Sequence, residues 1–242
     1  ETVTAEETLN AGAGPVDVSP GGNGGLWIIG SADSAFSITA CKFAFGRERA
    51  DAEARLGQVT VENSGGQIRA HGPSSNRDWN VFFIVRTPRG GEVTAATSNG
   101  PITIRDVDAT VIAKATNGPI SIRDSRGRLE ARTVNGPISV RDASGNVNVS
   151  AENGPLTVQL RGNEWEGEGL EGHTSNGPLT LSVPPGYASG VVVEAEGRSP
   201  FTCHTCTDAQ RTWNEDSRRV QLGSGPERVK LRTTNGPVTV KN

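Results

Sequence analysis

The sequence lacks methionine, has one tyrosine, and draws only 5% of its 242 residues from the aromatic types. No apolar stretch approaches the roughly 20 residues of a membrane-spanning helix, so we expect no membrane insertion. Neither sign of charge dominates, because the formal net charge is −3 and the pI is about 5.7. Nucleic-acid-binding domains usually have a basic surface and a pI above about 9. The composition therefore argues against nucleic acid as a partner.

Residues that interrupt helices are abundant by contrast. The chain contains 31 glycines and 14 prolines, both of which are unfavourable in helix interiors. A length of 242 residues suits one long domain or two short ones and is sufficient to bury a core. The composition is unsuited to a helical protein.

The first residue and the cysteines give information on whether the protein is located inside or outside the cytoplasm. The chain begins at Glu1, and either cleavage of a leader or trimming would remove an initiating methionine. A cleaved secretory leader would place the protein outside the cytoplasm, so we expect an extracellular, cell-surface or periplasmic location. Three cysteines, Cys41, Cys203 and Cys206, allow one intramolecular bridge at most.

An internal repeat dominates the sequence. The tripeptide Asn-Gly-Pro begins at Asn99, Asn117, Asn135, Asn153, Asn176 and Asn235, and its first steps are 18 residues long. Each tripeptide precedes a pattern such as PITIRD, in which apolar and hydroxyl residues alternate as in a half-buried strand. A second alternating segment, such as RLEARTV, follows after turn residues. One repeat is therefore predicted to be strand, turn, strand, turn.

Two topologies could use this repeat: an antiparallel meander or a parallel solenoid. Equivalent positions hold similar residues in every repeat, which is what parallel stacking of repeats generates. The clearest such column is Ile102, Ile120, Ile138, Leu156, Leu179 and Val238. The columns favour an all-β fold, an elongated parallel β-solenoid with two-strand rungs of about 18 residues.

The chain is predicted to have two parts. Residues 1–90 hold seven of the ten Trp and Phe residues and are interpreted as irregular N-terminal β rungs and a cap. Within them, residues 47–56 are predicted to be a short helix or a charged loop. Residues 91–242 are predicted to form the regular repeats, with insert loops at 161–175 and 199–219.

Several segments resemble the bacterial putative-adhesin family of cell-envelope β-solenoid domains, whose function is largely unassigned. They are NGGLWIIGSAD, then WNVFFIVRTPRGGEV leading into T-x-N-G-x-I repeats, and the closing stretch from Gly223 to Gly236. The resemblance covers about residues 15–242. It implies an exported, non-enzymatic, adhesin-like surface or periplasmic protein, and it supplies no catalytic residues. For such a protein we expect a cell-surface glycan or further copies of the chain as the partner.

Two alternative functions stay open. The first is a self-assembling subunit of an extracellular filament, a homopolymer formed through open solenoid edges or through strand addition by residues 1–9. In that case the last strand, at 238–242, would be covered by a neighbouring chain, whereas the loop at 199–219 could instead fold over it. The second alternative is a carbohydrate-active enzyme on a solenoid scaffold.

Cys203 and Cys206 form a C-x-x-C motif with three interpretations. A local disulfide suits an exported protein, and free thiols or pairing with Cys41 are the next alternative. A zinc site needs four ligands, and only His71, His173 and His204 are available besides the thiols. We predict the Cys203–Cys206 disulfide, no metal and no cofactor.

The other clusters of polar residues could have a catalytic or binding role or a purely structural one. No G-x-S-x-G, HExxH or phosphate-loop motif is present, so no catalytic residue is predicted. Glutamates surround Trp165 and could act as acid and base or simply form a solvated loop: Glu164, Glu166, Glu168 and Glu171. Arg105, Arg123 and Arg141 could bind an anionic polysaccharide or form solvated pairs worth about 0–1 kcal/mol each. The repeated asparagines are predicted to be turn residues or to form a ladder of side-chain amides.

Overall fold

The computed structural model describes residues 1–74, 77–197, 199–204, 206, 209–214 and 216–242. Almost all regular structure in these residues is β-strand, with one short helix, which confirms the all-β prediction. No helix in the described part is long and apolar enough to span a membrane. The chain divides into two compact units, unit 1 at Glu1–Gly118 and unit 2 at Pro119–Asn242.

Unit 1 contains ten strands and the helix. The strands are β1 (Thr2–Gly12), β2 (Val16–Ser19), β3 (Leu26–Gly30), β4 (Phe36–Phe45), β5 (Thr60–Ser64), β6 (Gln67–His71), β7 (Trp79–Thr87), β8 (Glu92–Asn99), β9 (Ile102–Arg105) and β10 (Asp108–Asn117), with α1 at Arg49–Leu56. One sheet has the order β1-β4-β7-β3-β9 and the other β10-β8-β2-β6-β5. The pairs β1–β4, β4–β7 and β5–β6 are antiparallel, and the others are parallel.

The N-terminal segment and the helix belong to this unit's own packing. Strand β1 pairs along its length with β4, from Thr2 opposite Phe45 to Gly12 opposite Phe36. The segment considered for strand addition to a neighbouring chain is therefore already paired within its own sheet. Helix α1 confirms the helical alternative for residues 47–56; its Ala52 is fully buried.

Unit 2 contains thirteen strands among its described residues. They are β11 (Ile120–Arg123), β12 (Arg126–Asn135), β13 (Ile138–Arg141), β14 (Ser144–Asn153), β15 (Leu156–Gln159), β16 (Gly169–Asn176), β17 (Leu179–Ser182), β18 (Gly190–Glu196), β19 (Phe201–Cys203), β20 (Gln210–Trp213), β21 (Ser217–Leu222), β22 (Glu227–Asn235) and β23 (Val238–Lys241). Its sheets have the orders β11-β13-β15-β17-β23-β19 and β12-β14-β16-β22-β18-β21-β20.

Equivalent repeat positions lie side by side in unit 2. In one sheet Ile138 pairs with Leu156, Leu156 with Leu179, and Leu179 with Val238, all in parallel register. Each of these side chains is at most 1% exposed, so the column forms the inner face of the sheet. The second sheet is mixed, because β18–β21 and β21–β20 are antiparallel. The repeated strands pair in parallel as expected, but the sheet as a whole is mixed, because the strands from the 199–219 region and its flanks pair in antiparallel fashion.

Side-chain amides connect the Asn-Gly-Pro corners. In unit 1 the amide of Asn117 donates to Asn99 at 2.9 Å, and that of Asn99 donates to Asn23 at 3.0 Å. In unit 2 the donations run from Asn153 to Asn135, from Asn176 to Asn153 and from Asn235 to Asn176, at 3.0–3.1 Å.

Two constraints act on the glycines of the inner corners. The backbone N–H donates to the carbonyl of the next corner's asparagine, from Gly154 to Asn176 at 3.1 Å and from Gly177 to Asn235 at 3.0 Å. A Cβ added at Gly154 would overlap the carbonyl oxygen of Gly136, and one added at Gly177 would overlap that of Gly154. Neighbouring corners therefore approach too closely for any side chain.

The two predicted insert loops differ in structure. In 161–175 the irregular part ends before Gly169, where β16 begins. The region 199–219 contains β19, β20 and the start of β21, and its residues 205, 207, 208 and 215 lie outside the described ones. Strand β19 pairs in parallel with β23, with Phe201 opposite Val238 and Cys203 opposite Val240. This region therefore covers the edge of the last strand.

Candidate functional site

An apolar row lies on the outer face of the β1-β4-β7-β3-β9 sheet of unit 1. Successive side chains of a strand point to opposite faces, and on β3 Leu26 and Ile28 are fully buried whereas Trp27 is 47% exposed. The same alternation on β7 puts Phe82 and Ile84 on the outer face, where both are half-buried. Large apolar side chains therefore occupy both faces of this sheet.

The Trp27 ring is held by its neighbours. Its ring centroid lies 5.5 Å from that of Phe82, and the two planes are at 89°, an edge-to-face arrangement that aromatic pairs prefer. On the neighbouring strands Trp27 lies opposite Ile84 and Thr103. The indole is thus supported from β7 and β9 while nearly half of its residue surface stays exposed to solvent.

Hydroxyl groups flank this apolar centre. Across the five strands the register places Thr8, Thr39, Ile84, Trp27 and Thr103 in one row. The hydroxyls of Thr8 and Thr39 lie 3.3 Å apart. We call this row, together with Phe82, the Trp27 face. It presents an aromatic platform with polar groups at both ends on a continuous sheet.

Cys41 lies beside the Trp27 face, opposite Phe82. Its thiol donates to a carboxylate oxygen of Glu6 at 3.9 Å. Burial raises the pKa of Cys41, and the negative charge of Glu6 and the hydrogen bond to it raise it further. Since the thiolate is the nucleophile, this arrangement keeps the thiol protonated and unreactive at neutral pH.

Thiol chemistry gives a first prediction. In denaturant without reductant we expect one titratable thiol per chain, that of Cys41, because Cys203 and Cys206 are bonded to each other. In the native protein at neutral pH, alkylation of Cys41 by iodoacetamide should be slow and should accelerate as the pH rises toward the raised pKa. Glu6→Gln removes the charge that opposes thiolate formation and should increase the native rate several-fold. Three thiols, or a native rate insensitive to Glu6→Gln, would contradict this assignment.

The cysteine motif lies at the covering strand of unit 2. The structure joins Cys203 and Cys206 by a disulfide with a Cα–Cα distance of 5.6 Å. His204, between them, donates its backbone N–H to the carbonyl of Val240. The disulfide therefore begins at the last residue of β19, where the pairing of β19 with β23 ends.

The side chains of His71 and His173 have separate neighbours. The ring of His71 lies 3.6 Å from Glu62, and that of His173 lies 3.2 Å from the Ser175 hydroxyl. Among the described residues no group of three or more His, Cys, Asp or Glu side chains could hold a metal ion.

An open groove of about 680 Å³ on unit 2 carries charged side chains from neighbouring strands. Its Arg232 pairs with Glu196, and its Arg219 lies 3.0 Å from Glu227. Burial lowers the pKa of His173 in this groove, and the charge of Arg232 lowers it further. The arginines here are satisfied by the protein itself, which makes the groove a weaker candidate than the Trp27 face.

The charged columns and clusters seen in the sequence are distributed over different surfaces. Arg105 forms an exposed pair with Asp106 at 3.1 Å, the solvated arrangement considered above. Glu168 accepts a hydrogen bond from Asn146 at 2.6 Å. Glu171 lines the open groove, whereas Glu164 and Glu166 line a different cavity. The structure therefore does not bring the four glutamates together as one acid–base group.

The sequence shows that aromatic residues are concentrated in residues 1–90, but the exposure of Trp27 was not predicted from it. Strict alternation in LWIIG, with Leu26 and Ile28 on the inner face, already requires Trp27 to point outward. The same argument applies to Phe82 and Ile84 in WNVFFIV. The partners across the sheet could not be identified, because β1, β4 and β7 are outside the repeat and their antiparallel pairing has no sequence period.

Comparison with known proteins finds weak structural likeness only. No protein-family model matches the chain, and no curated protein matches it. A crystal structure of a putative cell adhesion protein from Clostridium sporogenes aligns over 99% of both chains with 11% identity and a TM-score of 0.36. A putative adhesin from Bacteroides fragilis aligns over 100% of this chain and 97% of its own, with 11% identity and a TM-score of 0.34. A putative lipid binding protein from Parabacteroides distasonis aligns over 99% and 96%, with 10% identity and a TM-score of 0.31.

Proposed function

We propose that this chain is a non-enzymatic, adhesin-like protein of the cell envelope or extracellular space that binds a surface glycan through the Trp27 face. The observation that carries the proposal is the exposed Trp27 ring at the centre of a hydroxyl-flanked row. We further propose that the repeats of each unit stack as parallel two-strand rungs of a solenoid. The in-register pairs of β13, β15 and β17 support that arrangement.

The chemistry of the face matches a sugar ring. A sugar presents C–H groups on one face, which pack on an aromatic ring, and hydroxyls around its edge, which need hydrogen-bond partners. Trp27 offers the aromatic surface, and Thr39 and Thr103 offer hydroxyls that both donate and accept. A row of such groups along a sheet suits an extended chain of sugars.

Rigidity favours binding through this face. Groups that are already in position lose little freedom when a ligand binds. Trp27 is fixed by the edge-to-face contact with Phe82 and by paired strands on both sides. The raised pKa of Cys41, beside the face, favours binding without covalent reaction at that thiol.

Trp27→Ala tests the proposal, with Trp213→Ala as the matched control, since Trp213 is also exposed, at 54%, but lies in unit 2. Purified wild-type protein should bind a subset of polysaccharides on a glycan array. Trp27→Ala should weaken that binding at least about tenfold, which corresponds to about 1.4 kcal/mol, whereas Trp213→Ala should not. Both variants should lower the melting temperature by similar, small amounts, because each removes a side chain that is about half buried and makes one ring contact.

Three results would overturn the proposal. The first is no binding to any polysaccharide in a broad panel. The second is equal loss of binding in Trp27→Ala and Trp213→Ala. The third is release of soluble sugar from the panel, which would instead favour the carbohydrate-active enzyme. Concentration-dependent assembly of the wild type that Trp27→Ala abolishes, measured by light scattering, would favour the filament subunit.

A further inference from the structure

A second row of side chains lies beside the Trp27 face on the same outer surface of unit 1. Side chains two residues apart on a strand point to the same face of the sheet, so Ile29 lies next to Trp27 on β3. Ile29 is in register with Arg86 of β7 on one side and with Arg105 of β9 on the other, and Arg86 is in register with Ser37 of β4. We call these four residues, Ser37, Arg86, Ile29 and Arg105, the arginine row. It lies two residues away from the row of the Trp27 face on each strand.

The two arginines lie on either side of Trp27. Trp27 is opposite Ile84 on β7 and Thr103 on β9, and each arginine follows two residues later on its strand. Strands lie about 4.8 Å apart and rise about 3.3 Å per residue, so the Cα atoms of Trp27 and of either arginine are about 8 Å apart. Aromatic and long side chains interact across diagonal spacings of this kind. A ligand on the Trp27 ring is therefore within reach of both guanidinium groups.

Positive charge dominates the surface around the Trp27 ring. Arg86 is exposed near the end of β7 and has no ion-pair partner among the described residues. Arg105 forms its exposed pair with Asp106, at 3.1 Å. Within the five strands of this sheet the one outward-facing carboxylate is that of Glu6 on β1, three strands from Trp27, and a thiol already donates to it. An anionic ligand is therefore favoured over a neutral one beside the ring.

We propose that the Trp27 face selects acidic glycans, and that Arg86 and Arg105 bind the carboxylate of a uronic acid whose ring stacks on Trp27. This inference rests on the glycan-binding function proposed above and names the class of glycan. A guanidinium binds a carboxylate through two parallel N–H donations, and such charge-assisted hydrogen bonds are the strong ones. The carboxylate of a uronic acid is bonded directly to the sugar ring, so stacking of the ring fixes its position. A sulfate ester turns about its linking oxygen and is less constrained.

The two arginines differ in what they contribute. Arg86 has no carboxylate to exchange among the described residues, whereas Arg105 shares its charge between Asp106 and a ligand. Asp106 has a φ of 55°, a left-handed conformation that asparagine also adopts. Asp106→Asn therefore removes the competing charge without straining the turn. Arg86 is the main specificity-determining residue, and Asp106 limits the contribution of Arg105.

A matched pair of polysaccharides tests the selectivity. Polygalacturonate has a carboxylate on every sugar, and its fully methyl-esterified form keeps the same sugars without the charge. By isothermal titration calorimetry at low salt, the full chain should bind polygalacturonate at least about tenfold more tightly than the ester. The difference should shrink at about 1 M salt, where the Debye length is only about 3 Å. A sulfated galactan, the third probe, should bind more weakly than polygalacturonate.

Three variants assign the selectivity to residues. Arg86→Gln should weaken the binding of polygalacturonate about tenfold and leave that of the ester unchanged. Asp106→Asn should strengthen it about threefold, in line with the small free energy of an exposed ion pair. Arg128→Gln is the matched control, because Arg128 is an exposed arginine of β12 in unit 2, and it should change neither affinity. All three side chains are exposed, so the variants should melt close to the wild-type temperature.

The inference is overturned if both forms of the polysaccharide bind equally, if the sulfated galactan binds more tightly than polygalacturonate, or if Arg128→Gln weakens binding as much as Arg86→Gln. Trp27→Ala separates this failure from that of the proposed function. Equal binding of both forms that Trp27→Ala abolishes would keep the glycan function and reject the acidic selectivity. Selective binding of polygalacturonate that Trp27→Ala leaves intact would reject stacking on Trp27, and with it the proposed function, whereas the role of Arg86 would stand.

Discussion

Leu156→Asp is expected to abolish the cooperative folding of unit 2. Leu156 is fully buried on β15, between Ile138 on one side and Leu179 on the other. Removing a buried leucine side chain costs about 2–5 kcal/mol, and burying an unpaired carboxylate costs several more. The sum is comparable with the roughly 5–15 kcal/mol that stabilises a typical folded protein. Circular dichroism during thermal unfolding should show a melting temperature at least about 10 °C lower, or no transition.

Thr157→Asp is the matched control, because Thr157 is the next residue on the same strand and is exposed. We expect its unfolding free energy to stay within about 0.5 kcal/mol of wild type. If the two variants melted alike, the inner face of β15 would be assigned incorrectly, since the side-chain alternation predicts opposite outcomes for neighbours.

Gly154→Ala is expected to cost at least about 3 kcal/mol, the upper part of the range for overpacking a rigid site. The added methyl group would overlap the carbonyl oxygen of Gly136 in the preceding corner. Backbone atoms cannot rotate away as a flexible side chain can, so the repeats would have to separate. Chemical denaturation should report this loss as a lower midpoint.

Gly14→Ala provides the comparison, because Gly14 is exposed and a Cβ there meets nothing within 4 Å. Its free energy of unfolding should change by about 0.5 kcal/mol or less. Similar losses in both variants would mean that glycine acts at the corner through chain flexibility and not through close approach.

The repeat made part of the fold predictable from sequence. When Ile138, Leu156 and Leu179 recur at equivalent positions, parallel pairing in register follows, and the structure has that pairing. The asparagine at each corner could likewise be placed, because its Asn-Gly-Pro context is identical. In a parallel stack each residue lies beside the equivalent residue of the next repeat, so one repeat predicts which residues are neighbours across the sheet.

Segments outside the repeat carry no such information. The sequence of β1 does not identify β4 as its antiparallel partner. The 199–219 region was expected as one possible cover of the last strand, but its sequence does not predict that β19 pairs with β23 in parallel. The Trp27 face depends on the first of these pairings, because it places Thr8 beside Thr39. The loop before β16 is positioned by hydrogen bonds such as that from Trp165 to Ser189, which the repeat pattern does not predict.

The Asn-Gly corners also determine how the protein ages chemically. Deamidation at Asn-Gly begins when the glycine nitrogen attacks the asparagine side-chain carbonyl carbon; ammonia leaves, and the succinimide that forms is then opened by water. In the stacked corners the nitrogens of Gly154 and Gly177 are engaged with the carbonyls of Asn176 and Asn235, and the amide ladder holds the side chains. Each of these corners therefore slows deamidation of the corner before it, because its asparagine carbonyl occupies the glycine nitrogen that would otherwise attack.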